Sequence, residues 1–141
     1  MNPTARLLQW PTRPHCLALL LICTAGLAQA ADTTPQQQLQ HWMQQAGRPA
    51  DAKAGQIFFT NAHGREWSCA SCHGTPPTGD GKHASTGKRI APLAPAFNPQ
   101  ALTQTARTDK WFRRNCNDVL GRECSATEKA DVLAYLIQQK P

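Results

Sequence analysis

Apolar positions recur along this chain at helical spacing. From Pro35 the run QQQLQHWMQQAG places Leu39, Trp42, Met43 and Ala46 at i, i+3, i+4 and i+7, one stripe of a short helix. Gly47 and Pro49 end it. A second helix is expected from Asp51 through ADAKAGQIFFTNA, with Ala54, Ile57 and Phe58 on its apolar side, Gly55 early, and His63-Gly64 closing the segment. Residues 74–99 are rich in Pro and Gly, hold no sustained period and read as a long loop. A loop of that length inside a compact domain needs a reason, and wrapping around a bound group would supply one. Helical character returns at Thr108, expected as an N-cap, with Asp109 in the first turn, then Trp111, Phe112 and Asn115, until Gly121 breaks the pattern. The last helix carries the capping box Ser125-Ala-Thr-Glu128 and a stripe of Val132, Leu133, Leu136 and Ile137. Residues 31–141 contain only five Val and Ile, which argues against a substantial sheet. The expected class is all-α, with one long loop.

The N-terminus reads differently. Arg6 and Arg13 precede an apolar run over 16–27 that is too short to span a bilayer and leads to a small-x-small site at Ala30. We read residues 1–30 as a signal peptide cleaved after Ala30, which implies export, with the periplasm as destination, and a soluble mature chain. Residues 31–34 are then a polar leader expected to be mobile, 31–50 an N-terminal helical extension, and 51–141 the main domain. Cleavage leaves 111 of the 141 residues, one domain whose single core is adequate but thin. The formal charge falls from +6 to +4, because Arg6 and Arg13 leave and no acid does. So mild an excess, with no long basic cluster, is no nucleic-acid signature.

Cys16 and Cys23 depart with the signal, leaving the pairs Cys69/Cys72 and Cys116/Cys124 in an oxidising compartment, where pairs serve disulfides or cofactor attachment. Cys69-Ala-Ser-Cys72-His73 is C-x-x-C-H. Two thiols one helical turn apart can each form a thioether with a porphyrin vinyl group, and the next residue sets an imidazole under the iron. One covalent c-type haem on Cys69, Cys72 and His73 is the expectation. A thioredoxin-like pair would want a βαβ setting, and a zinc site would need Cys116 and Cys124 recruited from far away. Gly55, Phe58 and Phe59 before the motif, with Tyr135 in the final helix, resemble the class I cytochrome c arrangement, in which the first and last core helices cross. Residues 51–141 are accordingly read as a cytochrome c domain.

The other side of the iron is not filled by methionine, since the only one after the signal, Met43, lies upstream on an apolar helix face. His83 is the only histidine downstream of the motif, and lysines 82, 88, 110, 129 and 140 are ligands in principle. Three stretches decide between these: TGKRIAPLAP over 86–95, KWFRRNCNDVLGREC over 110–124 and EKADVLAYL over 128–136. They resemble the SHP-type cytochromes c, small bacterial monohaem proteins with an asparagine as sixth haem ligand. The resemblance implies Asn115 as the distal, redox-labile ligand and a Cys116–Cys124 disulfide. Trp111, one turn before Asn115, is a candidate for lining the distal pocket. Lys88, Arg113 and Arg114 are candidates for pairing with the haem propionates.

An amide oxygen is a hard, weak donor, tolerable to ferric iron and poor for ferrous iron. Reduction is therefore expected to release Asn115 and open the haem to O2, NO or CO. The resemblance implies electrons arriving from another cytochrome, diheme c-type or membrane b-type. A plain periplasmic electron carrier is the competing reading. Enzymatic turnover as a peroxidase or as an NO or O2 reductase is a third, for which His83 with Arg89 is the nearest approximation to a distal acid–base pair.

Overall fold

The computed structural model describes residues 31–141, so the expected signal peptide over residues 1–30 lies outside the described residues. Five helices carry the architecture: α1 (Pro35–Ala46), α2 (Ala52–Thr60), α3 (Cys69–His73), α4 (Thr105–Leu120) and α5 (Ala126–Gln138). None of them is long and apolar enough to cross a membrane. The core is the crossing of α2 and α5, where Phe59, Val132, Tyr135 and Leu136 are buried together. Gly55 makes the crossing possible, because a β-carbon there would collide with the Asp131 backbone. Phe59 meets Tyr135 with ring centroids 5.5 Å apart. The helix-crossing arrangement read from Gly55, Phe59 and Tyr135 is thus the one the chain adopts.

The termini of the helices follow local chemistry. Thr34 caps α1 and Gly47 closes it in the left-handed conformation at φ 67°. Asp51 caps α2, and Ser125 with Glu128 forms the expected capping box on α5. The extension is packed into the body, since α1 lies along α5. Lys129 of α5 stacks its ammonium 4.0 Å from the centre of the Trp42 ring. Asp131, also buried, accepts from the Asp51 N–H at 2.8 Å and pairs with Arg48.

Four expectations need correction. The leader over 31–34 is tied down rather than mobile: the Asp32 N–H donates to the Thr103 carbonyl at 3.0 Å, and its carboxylate accepts from the Thr105 N–H at 2.8 Å. For the same reason Thr108 is not a cap. α4 begins at Thr105, its N-cap Gln104 makes no side-chain cap bond, and Asp32 supplies the acceptor from a distant part of the chain. Ile57 is not on the packed face of α2 but 52 % exposed. The 74–99 loop is not wholly irregular, since it contains a short antiparallel hairpin of β1 (Gly81–Lys82) and β2 (Arg89–Ile90).

Candidate functional site

Helix α3 is the C-x-x-C-H segment itself. Ser68 and Ser71 form a reciprocal capping box at its start, with the Ser71 N–H donating to the Ser68 hydroxyl at 3.3 Å. Gly74, at φ 77°, ends it directly after His73. The helical turn sets Cys69, Cys72 and His73 at i, i+3 and i+4, on one face. Cys69 packs against the core cluster, and Phe59 lies 6.3 Å from the His73 ring, centre to centre. Both thiols are unbonded, whereas Cys116 and Cys124 are joined by a disulfide across the turn from α4 to α5.

The hairpin fastens this segment from outside. A β-carbon on Gly81 would lie 2.2 Å from the Cys72 carbonyl oxygen, so only glycine allows β1 to lie against α3. The Ala84 N–H points at the Cys72 sulfur, 3.3 Å away. Arg89 closes the hairpin base by a two-point bond to Asp80 at 2.5 and 2.7 Å. The sequence reading missed this device, although opposite charges at 80 and 89 flanking a Ser-Thr-Gly turn were its signal.

The electrostatics suit a haem ligand. Burial, with a smaller contribution from nearby His83, holds the His73 pKa down at about 4, so its imidazole is neutral and keeps a lone pair for a metal. Burial pushes the Cys69 thiol up to about 11, which keeps it protonated in the unmodified chain. The His73 Nδ1 is buried with no hydrogen-bond partner among the described residues. Such an orphan is costly in a finished core and is expected where a cofactor completes the surroundings. Two unbonded thiols, a neutral imidazole and an unsatisfied ring nitrogen on one short helix fit a c-type haem. They do not fit the alternatives. Zinc would need Cys116 and Cys124, which are bonded to each other, and the two-residue strands provide no βαβ setting.

Asn115 lies inside α4, not at its end. The inward face of that helix runs Thr108, Phe112, Asn115, Cys116 and Val119, of which Thr108, Cys116 and Val119 are buried and Phe112 and Asn115 half-buried. Phe112 packs against the core cluster of Phe59, Val132, Tyr135 and Leu136, the same cluster that Cys69 and Ala70 meet from α3. Trp111 is 44 % exposed, with the Arg114 guanidinium 5.3 Å and the Lys110 ammonium 5.9 Å from its ring centre. Lys88 is exposed at the turn of the hairpin, and Arg113 and Arg114 are exposed on α4. Two of the rival distal ligands are engaged elsewhere. Lys129 is held over Trp42, and the His83 Nδ1 accepts from the Ser85 and Thr86 N–H groups at 3.3 Å each.

A crossed helix pair over a single C-x-x-C-H turn defines a cytochrome of the c type, and c-type haem is its cofactor. Residues 45–136 match the family described as a domain of unknown function, DUF1924. The chain is 46% identical over 125 residues to the cytochrome c-type protein SHP of Cereibacter sphaeroides, spanning 86% of this chain and 96% of that protein. The solved structure of oxidized SHP, described as an oxygen binding cytochrome c, has a TM-score of 0.72 at 46% identity, covering 77% of this chain and 99% of that one. The crystal structure of oxidized cytochrome c'' from Methylophilus methylotrophus has a TM-score of 0.70 at 33% identity, covering 76% and 95%. Within the c-type class, this chain belongs to the DUF1924 family and is an SHP-type cytochrome c.

Proposed function

We propose that this protein is a periplasmic monohaem cytochrome whose haem is attached through Cys69 and Cys72, with His73 on one side of the iron and Asn115 on the other. Reduction detaches Asn115 and opens the ferrous iron to a diatomic ligand, O2, NO or CO. The observation that carries this reading is the position of Asn115. Asparagine is a poor residue in a helix interior, where its side chain competes with the backbone, and it is favoured at caps and turns. Here it caps nothing and stands on the inward face of α4, one turn from Phe112. A ligand role explains a polar amide there.

The chain's own groups support the chemistry. The amide oxygen is a donor that ferrous iron holds weakly, and the amide NH2 of the released side chain is available to donate to an incoming diatomic. The Cys116–Cys124 bridge stiffens the turn next to Asn115. Trp111 borders the distal side, and Lys88, Arg113 and Arg114 are the cations available to the propionates. Among the described residues, the nearest approximation to a peroxidase pair is engaged elsewhere, Arg89 with Asp80 and His83 with its own turn. Electrons come from another cytochrome, diheme c-type or membrane b-type. Residues 1–30 direct export and are cleaved after Ala30, and the disulfide is in keeping with an oxidising compartment.

Mixing the reduced protein with CO or O2 in a stopped-flow spectrometer tests the reading. Binding should be immediate and proportional to gas concentration. A ferrous iron that stays six-coordinate and binds CO only at the slow rate of ligand displacement would leave a plain electron carrier.

A further inference from the structure

The extensive helix–helix contacts among the described residues are those of α5 with α2 and with α1; α4 makes none of comparable size. The helix that carries Asn115 therefore lacks a broad helix partner and depends on Phe112 in the core and on what fastens its two ends. The C-terminal end is fixed by the Cys116–Cys124 bridge. The other end is held by the N-terminal segment, through two residues that the functional reading does not use.

Gln38 is a polar side chain only 4% exposed, on the inner side of α1. Its Nε2 donates to the Leu102 carbonyl at 2.9 Å and to the Thr108 hydroxyl at 3.1 Å. Thr108 stands on the inward face of α4, two turns before Asn115. Leu102 has φ 62°, a left-handed conformation that side-chain-bearing residues avoid unless their surroundings hold them there. Leu102 also packs against the core cluster. Asp32 makes the second tie. Its carboxylate accepts from the Thr105 N–H at 2.8 Å and from the Thr105 hydroxyl at 3.0 Å, supplying the cap that Gln104 does not. The support behind both ties is α1 itself, clamped on α5 by Trp42 and Lys129.

We propose that the N-terminal segment is a strut for α4, with Asp32 and Gln38 as positioning residues that hold Asn115 at the iron and set how readily it lets go. This rests on the reading of Asn115 as the sixth ligand. With the strut intact, α4 is fixed at both ends and the amide returns to one place after each reduction. With either tie cut, the helix pivots about its disulfide end, Asn115 occupies the ferric iron less completely, and the vacated ferrous site is less hindered.

The test uses the haem-loaded protein and four single variants. Gln38→Met keeps the length of the side chain and removes its donor; Asp32→Ala removes the remote cap. Val132→Ala is the control, leaving a small cavity in the buried α2–α5 core without touching α1 or either tie. Gln38→Met and Asp32→Ala should each shift the ferric absorption and EPR spectra away from the Asn-ligated form. Each should also speed CO association to the ferrous protein by about fivefold, the equivalent of one net hydrogen bond. Val132→Ala should lower the melting temperature and leave spectrum and rate unchanged. Two results overturn the strut: Gln38→Met and Asp32→Ala altering the melting temperature alone, or Val132→Ala changing the CO rate as much as they do. Asn115→Val separates this failure from failure of the ligand reading. If it alters the ferric spectrum while the strut variants do not, only the strut falls; if it leaves that spectrum unchanged, both fall.

Discussion

Gly55 of α2 and Asp131 of α5 approach so closely that a β-carbon on Gly55 would stand 1.9 Å from the Asp131 carbonyl oxygen. The obstacle is backbone on a buried helix, which cannot swing aside. Gly55→Ala should therefore push the two core helices apart and cost about 3 kcal/mol, the upper part of the usual range for overpacking. Thermal melting of the haem-loaded variant measures this, and a melting temperature equal to that of the parent would contradict the crossing described.

Gly81 holds the hairpin against the haem-attachment helix in the same way, 2.2 Å from the Cys72 carbonyl oxygen for a hypothetical β-carbon. Gly81→Ala should displace β1 from α3 and disturb the segment that presents Cys72 and His73. Haem content per chain, measured as the pyridine haemochrome, is expected to fall, while Gly79→Ala should be tolerated because nothing lies within reach of a β-carbon there.

The Cys116–Cys124 bridge closes a short segment between α4 and α5. Replacing both cysteines by serine should cost roughly 2–3 kcal/mol in the chain-entropy account. Because Cys116 adjoins Asn115, the ferric spectrum should also broaden or shift. Denaturant unfolding and ferric EPR on the same sample separate the two effects.

Arg122 bonds the Glu128 carboxylate at 2.7 and 2.8 Å, and with the Ser125 N–H holds its pKa down at about 2 against an ordinary 4.5. A carboxylate whose pKa is lower in the folded state contributes stability that is complete above the unfolded pKa and lost as pH falls toward the folded one. The contribution from Glu128 should thus disappear between about pH 4.5 and about pH 2. Glu128→Gln should flatten that part of the stability profile and leave its slope near neutrality unchanged, as read by urea unfolding at a series of pH values.

The sequence made some of this legible and not the rest, for physical reasons. The capping box at Ser125 and Glu128, the C-x-x-C-H turn and the small residue at Gly55 are local signals, each readable within a few residues. Asp32 capping α4 is not local. The helix start was assigned to Thr108 because Thr108 has the chemistry of a cap, whereas the acceptor comes from the other end of the chain and Thr108 instead receives a bond from Gln38. Ile57 fitted the helical period of α2 but faces away from α5, since the crossing centres on Gly55 and Phe59. The hairpin was hidden because its strands are two residues each, too short to show alternation, and its stability comes from Asp80–Arg89 and the contact with α3. Asn115 is the instructive case. Its residue type favours a cap, yet the helical pattern up to Gly121 already put it between the ends, and the structure adds its half-buried place on the inward face of α4, which motivates the proposed ligand role.

Absorption and EPR spectra of the wild type and Asn115→Val, recorded in both oxidation states, test the assignment most directly. The account predicts different ferric spectra for the two proteins, because the variant lacks the amide donor, and matching ferrous spectra, because reduction has already removed it. Identical ferric spectra would contradict the account.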